Sequence, residues 1–243
     1  MAVVPYKERT SSKKQQVADM FDSISHRYDF LNHFLSFGID ILWRKRAIGF
    51  LQKYRPQLML DVATGTGDFA LEAYHRLKPQ KIIGVDISEG MLSLGRDKMK
   101  ARGLADRIEM QLGDSEKLLF DDNYFDAVTV AFGVRNFENL ELGLQELYRV
   151  LKPGGVVVIL EFSKPHTSPV REGYELYSEV VVPRIGQLIS RDPAAYTYLP
   201  ESVRAFPEGF DFLRILDSVG FRSTVWKPLT FGIASVYKAQ KRG

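Results

Sequence analysis

Cysteine is absent from this chain of 243 residues, which excludes disulfides and thiolate metal sites. Long apolar runs are missing as well: Val156-Val157-Val158-Ile159-Leu160 falls far short of the roughly 18 residues that a membrane span needs. There is no strong charge bias, since 33 Lys plus Arg face 30 Asp plus Glu. So mild an excess can favour an anionic membrane surface but does not call for nucleic acid. The first residues carry neither an apolar stretch nor a small-residue cleavage site, so no signal peptide is expected. Repeats and low-complexity tracts are lacking too. What is present is ordinary for a globular protein of the cytoplasm, with 45% hydrophobic and 26% charged residues. Such a length buries one sizeable core, with room for an insertion or a cap.

The most informative stretch is Leu60-Asp61-Val62-Ala63-Thr64-Gly65-Thr66-Gly67-Asp68, placed between a short apolar run and a helix-like pattern. A strand ending in an acid, a glycine-rich turn and a helix start form a nucleotide-binding corner. Gly65 and Gly67 let the backbone approach a ligand, and the helix N-terminus offers N–H groups. Residues 65–70 also fit the dinucleotide fingerprint, and Asp86 follows at the distance of a ribose-binding acid. Asp68 argues against a dinucleotide, because its carboxylate would meet the pyrophosphate in the first helical turn. Asp61 adds a second acid. A zwitterion suits the corner better, its ammonium meeting an acid and its carboxylate the amides. S-adenosylmethionine has such an end and no phosphate, and it is the cofactor expected. The plainer alternative is a turn that needs glycine only for backbone freedom.

From Leu58 onward strands and helices alternate. The pattern predicts strands near 57–62, 81–86, 107–112, 125–131 and 155–162, and helices near 67–77, 89–102 and 138–151. Nearly continuous apolar strands such as Ile82-Ile83-Gly84-Val85 indicate a parallel sheet covered on both faces. Leu151-Lys152-Pro153-Gly154-Gly155 reads as a helix stop and a turn. A helix near 208–219 precedes strands at 221–229 and 232–239, whose short link makes them antiparallel. The fold expected is α/β: a class I methyltransferase Rossmann-like sheet of seven mostly parallel strands with a terminal antiparallel hairpin. Residues 1–243 are read as one domain, with 13–50 as an N-terminal helical cap and 163–206 as a lid-like insertion. Residues 1–12 are expected to be disordered or weakly docked.

Ligands of open α/β sheets bind at the carboxyl ends of the strands. The first strand supplies Asp61, Thr64, Gly65 and Gly67 there. Asp86 ends the second and can accept from both ribose hydroxyls, with Ile87 and Met91 flanking the adenine. Asp114 or Ser115, after the third, can accept from the adenine amino group. Each acid alone could cap a turn or helix; three at successive strand ends point to a nucleoside. The fourth strand ends in Ala131-Phe132-Gly133-Val134-Arg135-Asn136-Phe137, facing the methyl group in this plan. A guanidinium and an amide there can stabilise a developing phenolate or hold a water that accepts a proton. Pairing of Arg135 with a nearby acid is the structural alternative. No metal site is expected.

Several segments resemble the demethylmenaquinone/ubiquinone-biosynthesis C-methyltransferase family. They are residues 21–32 (Phe-Asp-Ser-Ile-Ser-His-Arg-Tyr-Asp-Phe-Leu-Asn), 61–68, 132–136, 149–155, Leu160-Glu161-Phe162-Ser163-Lys164-Pro165 and Tyr198-Leu199-Pro200-Glu201-Ser202-Val203. The resemblance runs from about residue 15 to 240 and is nearest to the menaquinone branch. It implies that Thr64, Asp86, Asp114 and Ser115 bind S-adenosylmethionine. Some members have serine where this chain has Ala131, so one hydroxyl contact to the cofactor is lacking.

The implied substrate is a prenylated naphthoquinol, methylated on a ring carbon that becomes nucleophilic once a hydroxyl ionises. Arg135 and Asn136, with Tyr28 from the cap, are the catalytic set expected to orient and stabilise the quinolate. His26 and His33 are alternative bases. The tail is expected to lie along Leu31, Phe34, Leu35, Phe37, Ile39 and Trp43, and along Tyr174, Tyr177, Val180, Val181, Ile185 and Leu188. Trp43-Arg44-Lys45-Arg46 is read as a peripheral, salt-sensitive membrane contact. A second copy of the chain is a further expected partner.

Overall fold

A computed structural model describes residues 3–36, 38–165, 167–177, 184 and 192–243, with the backbone alone for 27–35 and 175. The expectations placed on Phe37, Val180, Val181, Ile185 and Leu188 lie outside the described residues, as do the side chains of Tyr28, Leu31, His33, Phe34 and Leu35.

The strands are β1 (Leu58–Val62), β2 (Lys81–Asp86), β3 (Ile108–Leu112), β4 (Phe125–Ala131), β5 (Leu151–Phe162), β6 (Arg222–Leu229) and β7 (Ala234–Gln240). They form one sheet in the order β3-β2-β1-β4-β5-β7-β6. The pairs from β3 across to β5 are parallel. β7 lies antiparallel between β5 and β6. The helices are α1 (Lys13–Leu35), α2 (Ile39–Gly49), α3 (Asp68–Leu77), α4 (Glu89–Ala101), α5 (Leu140–Val150), α6 (Val170–Leu176), α7 (Ala194–Ala205) and α8 (Phe210–Val219).

Side chains alternate across the pleat, so one strand feeds two cores. In β5, Val157 and Ile159 join Leu144 and Leu147 of α5 and Phe212 and Leu216 of α8. Val156, Val158 and Leu160 join Trp43 and Ile48 of α2 and Phe69 and Ala73 of α3. Burial on both faces explains the continuous apolar runs. A third cluster lies at one end, with Val17, Met20 and Ile24 of α1, Met91 of α4, and Tyr196 and Tyr198 of α7.

One local expectation changes. β5 begins at Leu151, inside the stretch read as a turn: Leu151 already pairs with Phe125, and the next partners are Ala127 and Val156. Residues 152–155 bulge out of the strand, with Gly154 at φ 78°. Within the insertion, residues 194–205 form α7, although Pro200 lies inside that helix. The N-terminal segment is held in place: the Tyr6 amide donates to Gln16 Oε1 at 2.9 Å, its hydroxyl donates to Asp192, and Lys7 pairs with Glu201 at 2.9 Å. No helix among the described residues is long and apolar enough to cross a membrane.

Candidate active site

Two cavities adjoin at the carboxyl ends of β1, β2 and β4, and Phe21 of α1 and Phe132 line both. Phe132 holds its place at a backbone φ of 57°, in the left-handed region that a bulky residue rarely enters. The next residue must be glycine, because a Cβ on Gly133 would lie 2.5 Å from that of Ala63.

The polar cavity is lined by Gly65, Asp86, Asp114, Ser115, Ala131 and Asn136, among others. Gly65 has φ 57°, and a Cβ built there meets no atom within 4 Å, so the bare backbone leaves space for a ligand. Asp86 braces this loop. One carboxylate oxygen accepts the Gly65 amide at 2.8 Å and the other accepts the Ser88 amide at 3.0 Å. A carboxylate can accept more bonds than these amides use, which leaves capacity for a hydroxyl. Burial raises the Asp86 pKa against these amides. Asp114 accepts the Glu116 amide at 2.9 Å and the Lys14 ammonium of α1 at 2.6 Å. Ile87 and Met91 supply apolar flanks. Bare backbone, acids at two strand ends and apolar sides fit a nucleoside joined to an amino-acid end, as in S-adenosylmethionine.

Asp61 and Thr64 stand behind this wall instead of on it. The buried Asp61 carboxylate accepts the hydroxyls of Thr64 and Thr129, each at 2.6 Å. Desolvation by burial pushes its pKa up to about 6. Its visible work is to tie β1 to β4 beneath the turn. Gly67, at φ 84°, precedes α3, where a Cβ would press on Met99 at 2.7 Å.

The aromatic cavity encloses about 130 Å³. Trp43, Phe162, Tyr174, Tyr177, Tyr196 and Tyr198 line much of it, and Arg135 is among its charged residues. Arg135 Nη1 donates to Glu161 Oε1 at 2.8 Å and to the Phe132 carbonyl. The acid partner weighed from sequence is therefore present, in a residue that also reaches the cavity. Asn136 lies on the polar side, and its Oδ1 accepts the Tyr198 hydroxyl at 3.1 Å across the shared wall. Burial pushes the Tyr198 pKa to about 12, so this hydroxyl remains a donor.

The reading of Trp43 and Arg44 as a membrane contact is corrected. Trp43 is buried edge-on against Phe162 and donates to Thr230 Oγ1 at 2.7 Å. Arg44 is buried against Asp40. A basic neighbourhood in sequence suggested an interface, but tertiary packing claims both side chains. His26 is exposed, away from both cavity walls. Sequence reasoning gave no role to Glu161 or Tyr198. A lone acid in the apolar run of β5 was the available signal, since a buried charge demands a partner.

Residues 9–241 match the ubiE/COQ5 methyltransferase family. The chain belongs to that family. The methyltransferase is 49% identical to the demethylmenaquinone methyltransferase of Bacteroides fragilis, over 98% of this chain and 97% of that protein. It is 47% identical to the ubiquinone/menaquinone biosynthesis C-methyltransferase UbiE of Geobacter sulfurreducens, over 96% of this chain and 91% of that one. Among solved structures it resembles a SAM-dependent methyltransferase of Thermotoga maritima, with a TM-score of 0.63 and 20% identity over 93% of this chain and 99% of that chain. The last likeness concerns the fold: a seven-stranded, mostly parallel class I methyltransferase sheet. The enzyme uses S-adenosylmethionine as its methyl donor.

Proposed function

We propose that this methyltransferase converts demethylmenaquinol to menaquinol, methylating a ring carbon of a prenylated naphthoquinol in menaquinone biosynthesis. The observation that carries the reading is the shared wall: a polar, acid-lined cavity and an aromatic cavity meet at Phe21 and Phe132. The names of the relatives support the same acceptor.

In this reading Asp86 holds the ribose, Asp114 and Ser115 hold the adenine, and the bare Gly65 loop receives the amino-acid end. Asp61, Thr64 and Gly67 shape that loop from behind. Bound S-adenosylmethionine supplies a methyl already activated on a sulfonium. Arg135 stabilises the quinolate that forms when a ring hydroxyl ionises. Being permanently charged, it acts by lowering the hydroxyl's pKa or by ordering a water that takes the proton. Asn136, fixed by Tyr198, and Tyr28 of α1 complete the set that orients the ring. Phe132 and Phe21 keep water from the meeting point. The first two helices act as a cap and residues 163–206 as a lid, a division supported by Met20 and Ile24 on one side of the aromatic cavity and Tyr174 and Tyr198 on the other.

The enzyme works in the cytoplasm and meets the membrane transiently to collect its prenylated substrate. With Trp43 and Arg44 buried, this contact falls to exposed Ile41, Leu42 and Arg46 of α2. Flotation with anionic vesicles at low salt tests it; no binding overturns it.

The acceptor is tested by anaerobic methyl transfer to reduced demethylmenaquinone, with a reduced benzoquinone precursor beside it. Methylation of the naphthoquinol is expected. Exclusive methylation of the benzoquinol moves the enzyme to the ubiquinone branch, and transfer to neither overturns the quinol reading.

A further inference from the structure

Glu161, at the end of β5, is fully buried in a strand whose neighbouring residues are apolar. A carboxylate at that depth is costly unless every lone pair is used. Its Oε1 accepts Arg135 Nη1 at 2.8 Å and the Phe162 amide at 2.8 Å, and its Oε2 accepts the Arg135 amide at 3.3 Å. Backbone and side chain of Arg135 are thus held by one residue. The guanidinium carbon also lies 5.4 Å from the centre of the Phe162 ring. Arg135 Nε is buried with no hydrogen-bond partner, the one such side-chain atom among the described residues. A guanidinium clamped on one side, with a donor still unmet, lines the aromatic cavity.

We propose that Glu161 is a positioning residue for methyl transfer. It pins Arg135 at the cavity wall and offsets its charge, so it sets how readily a hydroxyarene bound there releases its proton to solvent. The inference rests on the aromatic cavity being the acceptor site. In the ionisation the O–H bond breaks, the electron pair stays on oxygen beside Arg135, and the proton goes to water.

Other groups facing the pair are Lys13 of α1, Tyr174 of α6, Tyr198 of α7 and Tyr237 of β7. Burial raises all three tyrosines to about 12, so they stay neutral in the working range. Lys13, lowered by burial and then by Arg135, donates to the carbonyls of Arg135 and Phe137. Asp40 and Arg44 of α2, which line the same cavity, pair with each other.

The test uses 4-nitro-1-naphthol, whose naphtholate absorbs in the visible, titrated with pH while bound to the full-length enzyme. Burial raises the Glu161 pKa and Arg135 opposes that rise; Glu161→Gln removes the negative charge that this pairing supports. It is expected to give about tenfold more naphtholate at a given pH below the midpoint, the effect of one unit charge several ångströms away at an intermediate dielectric. Glu161→Asp keeps the charge but shortens the clamp. Its titration is expected to stay within about twofold of the unsubstituted enzyme, while turnover falls about tenfold and KM for S-adenosylmethionine is unchanged. A Glu161→Gln titration like that of the unsubstituted enzyme, normal turnover by Glu161→Asp, or failure of the naphthol to bind overturns the proposal. If Glu161→Gln does not fold, Glu161→Asp decides. An unsubstituted enzyme that leaves reduced demethylmenaquinone unmethylated overturns the acceptor reading instead. The naphthol titration then still decides on Glu161, because it needs no methyl transfer.

Discussion

Around the polar cavity, many of the lining groups sit on turns that leave the sheet at β1, β2 and β3, and buried acids such as Asp86 hold those turns by their amides. Around the aromatic cavity, most of the wall is side chains from α1, α2, α6 and α7, which close over Phe132, Arg135 and Phe162 at the ends of β4 and β5. One pocket is backbone braced by carboxylates and the other is a box of rings around a paired guanidinium. The first is prepared for a ligand of fixed shape, because its groups are set by strand register. The second depends on how helices from distant parts of the chain meet over the ends of β4 and β5.

The contrast makes a sharp demand of Arg135. Arg135→Ala is expected to lower methyl transfer about 10²–10³-fold, the cost of losing a preorganised charge at a developing oxyanion. Affinity for S-adenosylmethionine, measured by calorimetry, should barely change. Near-normal turnover removes Arg135 from the mechanism.

A somewhat smaller effect is expected beneath the polar cavity. Asp61 has a folded pKa of about 6 against 3.8 for an unperturbed aspartate, with burial as the main cause. The folded state therefore binds the proton more tightly than the unfolded chain. Stability falls as pH rises from about 4 to about 6 and then levels, by about 3 kcal/mol in all for this group. Asp61→Asn should flatten that part of the profile in urea titrations across pH 4–7. An unchanged slope denies Asp61 its buried charge.

Asp86→Ala should raise the dissociation constant for S-adenosylmethionine about 30-fold, equivalent to about 2 kcal/mol from charge-assisted hydrogen bonds. Turnover at saturating cofactor should be largely kept. A loss confined to turnover would erase the division of labour between the cavities. The mildest change is Tyr198→Phe, which removes the hydrogen bond to Asn136 across the shared wall. A loss of about 1 kcal/mol, or about fivefold in kcat/KM for the quinol, is expected in steady-state kinetics.

Legibility divides along the same line. β1, β2 and β4 were readable as apolar runs, and Gly65, Asp86, Asp114 and Ser115 as strand-end residues, because each signal lies within a few positions of its own strand. Thr64 lies three residues from Asp61, yet the second hydroxyl on that carboxylate comes from Thr129, which no local pattern connects to it. Glu161 and Arg135 come from different elements and meet only because β4 and β5 are neighbours in the sheet. α7 was missed because tyrosines and Pro200 blur its helical period. Trp43 was misplaced for a related reason: its burial depends on Phe162 and Thr230, remote in sequence.

Helix α1 touches both halves of the site. Lys14 and Val17 line the polar cavity, Met20 and Ile24 line the aromatic one, and Phe21 lines both. Asp22, on the next residue, accepts from the Ser88 hydroxyl and from the Gly90 amide at 2.9 Å, fastening the helix to the start of α4. Any displacement of this helix to admit one molecule disturbs the seat of the other. If the two cavities seat donor and acceptor as proposed, the two occupancies are linked through this helix, and whatever factor the methyl donor adds to quinol affinity, the quinol must return to the donor in equal measure.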